Sequence, residues 1–394
     1  MKRLTLLTLL VALGSSLWAQ TTWTGQTSNK QNYISTGMPI LLIAPDAVSS
    51  AMGDVGAATM PDAYSAHWNN AKFAFIDGLM GASTTYTPWL RNLGVGDMNL
   101  LYLGGYYKLG SRGTVATSLT YFSLGDIDMR DFEGNKVTDL HPNEFAFDLT
   151  YALRITDNLA LGATGRFMRS DLTNGQSVYD ESGTNTATRP ANSLAADLGL
   201  YYQNTIDKAQ SYALGAFISN LGAKLNYSDD NTNREFLPAN LRIGGRYTNE
   251  IDEHNKVSVM LDFNKLLVPT PRFRTYSIDS IQSLTDYNNI SPVAGALQSF
   301  NDAPGGFSEE LQEVQISAGA EYWYENFLAV RAGYFFEHEN KGGRQYASVG
   351  VGLRYNIFAF DFSYLIPTSR LSTNPLSNTV RIQLSVDLVP PENN

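Results

Sequence analysis

Along much of the chain, apolar residues occupy every second position. From Phe145 to Leu153 they are Phe145, Phe147, Leu149, Tyr151 and Leu153, with Ala146, Asp148, Thr150, Ala152 and Arg154 between and after them. An extended chain turns successive side chains to opposite faces, so one set faces an apolar medium and the other a polar interior. Val257, Val259, Leu261 and Phe263 alternate in the same way with Ser258, Met260, Asp262 and Asn264. So do Val380, Ile382, Leu384, Val386 and Leu388 with Arg381, Gln383, Ser385 and Asp387. A water-soluble sandwich also has strands that are apolar on one face, and the alternation alone fits both classes. The connections separate them.

The pattern predicts about fourteen strands, near residues 78–88, 98–109, 112–124, 144–156, 159–171, 193–206, 209–220, 239–250, 255–264, 312–324, 327–336, 344–354, 357–365 and 378–388. The number is even, as single-chain bacterial barrels require. Gly110-Ser111, Asp157-Asn158, Asp207-Lys208 and Glu325-Asn326 are turn-like pairs, and Ile251 to His254 is little longer. The alternate connections are long: Asp126 to Asn143, Asp171 to Asn192, Leu221 to Pro238 and Lys265 to Leu311. Tight turns on the periplasmic side and long loops outside characterise a closed barrel in an outer membrane. The expected fold class is therefore all-β: a transmembrane antiparallel β-barrel over residues 78–389, with a tail at 390–394. If the N-terminus starts in the periplasm, the first strand runs outward and every long loop faces the exterior of a Gram-negative cell. Tyr86, Trp89, Tyr106, Tyr107, Tyr201, Tyr202, Tyr322, Trp323 and Tyr324 would supply parts of the aromatic girdles at the two membrane interfaces.

The first residues agree with export. Lys2 and Arg3 precede the apolar run Leu4 to Leu13, followed by Gly14, Ser15, Ser16 and a cleavage-compatible Ala19, so residues 1–19 have the form of a secretory signal peptide. That run is too short for a spanning helix, and no later one approaches the roughly 18 apolar residues such a helix needs.

Composition changes the picture in three respects. Cysteine is absent, which excludes disulfides and thiolate metal sites. Lys+Arg number 28 against 38 Asp+Glu, and without Lys2 and Arg3 the balance is 26 against 38, a net of −12. Such a surface repels nucleic acid and lacks a polybasic patch for anionic lipid. The 22 Tyr, 19 Phe and 33 Gly suit barrel strands with aromatic belts.

Residues 20–77 form an N-terminal extension whose later part, Gly37 to Asp77, lacks period-two alternation and is rich in small residues. Backbone packed closely inside a cavity needs small side chains, so this segment reads as an inward-folded hatch; an ordinary periplasmic extension is the alternative. Its candidate residues are Pro45, Asp46, Met52, Gly53, Asp54, Gly56, Asp62, Trp68 and Asn69.

Catalytic constellations are weak. His67, His141, His254 and His338 form no HExxH or other ligand cluster, no G-x-S-x-G elbow occurs, and Met52-Gly53-Asp54-Val55-Gly56 neither follows a strand nor has dinucleotide-loop spacing. A surface-loop hydrolase using Asp126, Asp128 or His141 is the remaining enzymatic reading. No cofactor or metal site is expected.

Gly37 to Asp46, Met52 to Gly56, Asp62 to Ala71, Tyr86-Thr87-Pro88-Trp89-Leu90 and Tyr121-Phe122-Ser123-Leu124-Gly125 resemble the PorV family, outer-membrane barrels of the type IX secretion system, themselves similar to FadL-type transporters of hydrophobic compounds. The resemblance implies a fourteen-stranded barrel with an N-terminal hatch. It also implies a shuttle that takes the C-terminal signal domain of secreted cargo at the translocon and delivers it to a sortase-like attachment complex at the cell surface. Expected partners are thus the type IX translocon, cargo signal domains, the sortase-like complex, and outer-membrane lipid or lipopolysaccharide. The loop Lys265 to Leu311, with Tyr276, Tyr287, Phe300 and Phe307, is the expected partner contact, because binding residues concentrate on loops held by a rigid scaffold. Passage of small apolar molecules, as in FadL-type proteins, is the alternative. One departure is the end of the chain: the last strand finishes at Leu388 and continues Val389-Pro390-Pro391, without the terminal aromatic residue common in outer-membrane barrels.

Overall fold

The alternation closes on itself. The computed structural model describes residues 33–90, 96–130, 134–176, 178–179, 185–186, 188–228, 234–270, 287–368 and 379–388; the signal segment, Tyr276 and the tail after Leu388 lie outside them. In chain order the strands are β1 (Met80–Pro88), β2 (Met98–Leu109), β3 (Gly113–Leu124), β4 (Ile127–Arg130), β5 (Lys136–Leu140), β6 (Asn143–Arg154) and β7 (Leu159–Asp171). They continue with β8 (Val178–Tyr179), β9 (Asn185–Thr186), β10 (Ala191–Thr205), β11 (Gln210–Gly222), β12 (Leu225–Asn226), β13 (Arg234–Glu235) and β14 (Asn240–Glu250). The last are β15 (Asn255–Leu266), β16 (Gln315–Tyr324), β17 (Leu328–Phe336), β18 (Gln345–Tyr355), β19 (Phe358–Pro367) and β20 (Val380–Leu388). Fourteen of them form one closed antiparallel barrel, each paired with its neighbour in the chain, and β1 meets β20 with Met80 opposite Leu388. Each of the fourteen predicted strands corresponds to one of these, with ends shifted by at most three residues.

The faces are inverted relative to a soluble protein. On β6, Phe147, Leu149 and Tyr151 point outward and are exposed, Leu149 at 62%, while Ala146, Asp148, Thr150 and Ala152 are buried. On β15 the exposed set is Val259, Leu261 and Phe263 and the buried set Ser258, Met260, Asp262 and Asn264. A wall with apolar side chains outside and carboxylates, guanidiniums and hydroxyls inside is stable only against hydrocarbon.

Short connections lie at one end, at 110–112, 155–158, 206–209, 251–254, 325–327 and 356–357. Glu325 and Asn326 both take positive φ, 51° and 52°, the conformation a two-residue hairpin turn demands. The long connections lie at the other end and carry structure of their own: hairpins β4–β5, β8–β9 and β12–β13, and helices Pro292–Gln298 and Phe307–Gln312.

The expected girdle is half right. Tyr86, Tyr107, Tyr322 and Tyr324 point outward, whereas Trp89, Tyr106, Tyr201 and Trp323 are buried. Neighbours in a strand face opposite ways, so within Tyr106-Tyr107 and Tyr322-Trp323-Tyr324 only alternate rings can meet lipid. The inward rings pack on the N-terminal segment or on internal arginines: Tyr106 against Phe73, Tyr201 against Phe75, and Trp323 beneath Arg331 and Arg354.

That segment fills the lumen, and its first described residues enter it from the long-loop end. Tyr33 to Thr36 lie beside Leu266, Gln315 and Arg344, at the long-loop end. From there the chain descends: the Ala44 carbonyl accepts from Arg381 near the start of β20, Gly53 meets Ser348, Asn70 meets Thr164 at mid-wall, and the Ala74 carbonyl accepts from Arg154 at the foot of β6. The plug therefore threads the whole barrel before β1 begins. A periplasmic extension is excluded for it.

Candidate functional site

The nine candidate hatch residues all lie in this plug. Asp46 caps the helical turn Ala47–Ser50, its Oδ2 accepting from Ser49 N at 2.7 Å, while Oδ1 accepts from Trp68 Nε1 at 2.7 Å and so joins the two halves of the segment. Pro45, beside it, is buried. Met52 packs with Val55 and Met260. Gly53 sits at φ 69°, where a Cβ would lie 2.5 Å from the Tyr334 carbonyl oxygen, so both conformation and space require glycine. Tyr346 OH donates to Asp54 Oδ2, and Gly53 N donates to Ser348 Oγ at 2.9 Å. Asp62 accepts from Tyr64 N at 3.0 Å and Ser65 Oγ at 3.3 Å, closing the turn before the helix Ser65–Trp68. Asn69 Nδ2 donates to Ala57 O and Leu200 O, and its Oδ1 caps the 3-10 helix Asn70–Phe75 by accepting from Ala71 N.

The clasp between plug and wall is Asp262, unflagged as a site by the sequence. Its Oδ2 accepts from Gly56 N at 2.6 Å and Ala57 N at 2.8 Å and pairs with Arg242 at 3.2 Å; Arg242 in turn donates to Asp54 O and lies over the Trp68 ring. Wall glycines allow the close approach: a Cβ on Gly215 would stand 1.9 Å from Ala57 O, and one on Gly333 2.0 Å from the Met52 carbonyl carbon. Other inward charges neutralise one another, Arg166 with Asp148 and Asp197, and Arg331 with Glu321 and Asp361. Asp148 and Asp262 were visible as polar positions in the alternation; their partners were not, because pairing depends on neighbouring strands.

At the long-loop end, Tyr287 is half-buried rather than displayed. Its ring packs edge-on against Phe236 with centroids 5.3 Å apart, and its hydroxyl donates to Pro269 O at 3.3 Å. Lys224 Nζ, 3.7 Å from the Phe236 ring centre, donates to the carbonyls of Tyr287 and Asn288; burial, and then the nearby Arg234, hold this ammonium down at about 8. Tyr287 thus fastens the loop to β11–β14. Phe300 and Phe307 do face outward, together with Val293, Leu297 and Leu311, Leu297 at 72% and Phe307 at 63% exposed. Val293/Leu297 and Phe307/Leu311 are spaced four apart on the two short helices, a helical signal present in the sequence that the strand reading passed over.

Beneath this platform is a buried ionic brace. Lys265 Nζ meets Glu310 at 3.0 Å and Glu313 at 2.5 Å, and Lys341 Nζ meets Glu309 at 2.6 Å and Glu313 at 2.9 Å. Glu310 Oε1 accepts from the amides of Asp302 and Ala303, and Asp302 Oδ2 from Thr270 N. Burial pushes the Asp302 carboxyl up to about 6, with Glu313 and Glu310 adding repulsion against the Thr270 hydrogen bond. The loop therefore presents apolar side chains from a fixed base.

A closed fourteen-stranded barrel, apolar outside, ionic inside and plugged by its own N-terminal segment, defines an outer-membrane barrel. The family model described as type IX secretion system protein PorV matches residues 26–273, and the chain belongs to that family. Among solved structures it is similar to the toluene transporter TodX of Pseudomonas putida at 12% identity and TM-score 0.48, over 90% of this chain and 98% of that one. It is similar also to the toluene transporter TbuX of Ralstonia pickettii at 12% identity and TM-score 0.46, over 88% and 98%. A FadL homologue of Pseudomonas aeruginosa gives 10% identity and TM-score 0.45, over 91% and 99%. No curated protein sequence matches the chain.

Proposed function

We propose that the chain is the cargo shuttle of a type IX secretion system. It takes the C-terminal signal domain of secreted cargo at the translocon and hands it to the sortase-like attachment complex, with residues 1–19 directing export and the long loops facing the cell exterior. The observation that carries this reading is the platform of Val293, Leu297, Phe300, Phe307 and Leu311, held out on the braced loop of a family member. Exposed apolar side chains on a loop held by a rigid scaffold suit a partner surface. Tyr276 belongs to the same loop and is proposed as part of that surface. The plug residues Pro45 to Asn69 act as the fixed core that keeps the lumen shut while cargo docks outside it.

Passage of small apolar molecules draws less support. A permeant would have to displace a plug whose backbone amides are bound to Asp262 and whose surroundings are buried ion pairs, and ionic linings repel apolar solutes. Catalysis draws less: His141 Nδ1 and Asp126 Oδ1 meet at 2.6 Å on an exposed loop, with both side chains in solvent. Affinity purification of the full-length barrel from detergent extract, with mass spectrometry of what accompanies it, should recover proteins bearing the C-terminal signal and the translocon. Recovery of neither, with uptake of an apolar solute lost on deletion of the gene, would favour transport.

A further inference from the structure

The lumen is not filled everywhere. Between the lower part of the plug and the wall, towards the short-turn end, lies a cavity of about 130 Å³ whose charged lining is Arg246, Lys256 and Arg354 with Asp62, Asp77 and Glu321. Glu321 is engaged by Arg331 at 2.7 Å, and Asp62 by Tyr64 N and Ser65 Oγ. Lys256 donates to the neutral Asn326 Oδ1 at 3.3 Å, and Arg354 lies over the Trp323 ring.

Arg246 stands apart from the other lumen arginines that carry ion pairs. It is 6% exposed and has no ion pair among the described residues. Its Nε and NH1 have no hydrogen-bond partner, and NH2 reaches only the Tyr201 hydroxyl at 3.5 Å. Arg166, Arg242 and Arg331 on the same inner surface each meet a carboxylate. A buried guanidinium whose Nε and NH1 lack acceptors is costly, and a planar or tetrahedral oxyanion is the acceptor its geometry suits best.

We propose that this cavity binds one small oxyanion group, a carboxylate or a phosphate, with Arg246 as its principal ligand and Lys256 and Arg354 adding positive charge at the rim. The volume limits the occupant to a single such group, alone or with a few waters. Trp323 and Met260 form the apolar floor against which a short carbon stub of the ligand would rest. The site is independent of the cargo platform, which lies at the opposite end of the barrel.

The test uses the purified full-length barrel in detergent at constant ionic strength, with chloride replaced stepwise by inorganic phosphate or, separately, by acetate, and the heat-modifiability midpoint as readout. A ligand that binds only the folded state raises that midpoint saturably. Expected is a saturable rise with at least one anion in the parent and none in Arg246→Gln, which in chloride alone is at least as stable as the parent because it no longer buries an unpaired charge. A rise with phosphate alone assigns a phosphate group, and with acetate alone a carboxylate. No saturable rise in the parent, an equal rise in the variant, or an Arg246→Gln barrel that is less stable in chloride would each overturn the proposal. Should the variant not fold, calorimetric titration of the parent and Lys256→Gln replaces it: the site predicts binding weakened about threefold, and unchanged affinity refutes it.

Discussion

Asp262 shows what a single inward side chain does in this barrel. One of its oxygens receives two backbone amides and a guanidinium, and removing it leaves both amides without that acceptor and Arg242 without its carboxylate. Asp262→Ala should therefore destabilise the seated plug by about 3–5 kcal/mol, the range for a broken buried pair, while the strand ladder persists. Limited proteolysis should cut between residues 44 and 77 in the variant but not in the parent; equal resistance would mean that the wall glycines and remaining contacts hold the plug without the clasp. The alternation foretold which face each strand residue takes, but not what occupies the inside. An open polar lumen would make Thr150→Arg mild, yet Thr150 is 1% exposed, its hydroxyl bonded to Thr164, which also accepts from Asn70 of the plug. Leu149→Arg, facing hydrocarbon, should cost about 2–4 kcal/mol and lower the yield of folded barrel. Thr150→Arg should instead leave the barrel folded and the plug cleavable. The same phenotype for both adjacent variants would contradict the assigned faces.

The elements were legible to different depths. Strands were readable because a period of two is imposed by the medium on either side of the wall. The plug was readable from its small residues, since close backbone approach excludes Cβ atoms, as at Gly53 and Gly215. Its direction was not, because no local pattern records which end of a lumen a chain enters. With Tyr33 at the long-loop mouth, an epitope inserted between Gln20 and Asn32 should be reached by antibody on intact cells; labelling only after permeabilisation would contradict the threading or the proposed orientation. The platform helices were missed because helices of seven and six residues offer a single i, i+4 pair each. Their loop also carries a pH dependence. The folded pKa of Asp302, about 6, lies above its ordinary 3.8, so between these values the folded loop binds the extra proton. Attachment of the loop should then strengthen as pH falls from about 6 toward 4, and Asp302→Asn should abolish that part of the change. Protease nicking of residues 287–314 across this range is the measurement; an identical pH profile in the variant would remove Asp302 as the cause.

For the whole molecule, the contrast of short turns and long connections already implied a barrel with two unlike ends, and the structure makes one of them a displayed surface. The proposed shuttle uses that surface and leaves the plug in place, whereas passage through the barrel would have to move it. Which partner binds was never in the strand pattern: the proposal rests on the family and on five exposed apolar residues of one long loop. The most direct test is the ratio of cargo to barrel after affinity purification from cells expressing Leu297→Ser/Phe307→Ser, both side chains lying clear of the buried brace. The shuttle reading predicts a folded, heat-modifiable barrel at the parent's level with its cargo ratio reduced severalfold and secretion impaired. An unchanged ratio, with the translocon and cargo still bound, would contradict docking on this platform.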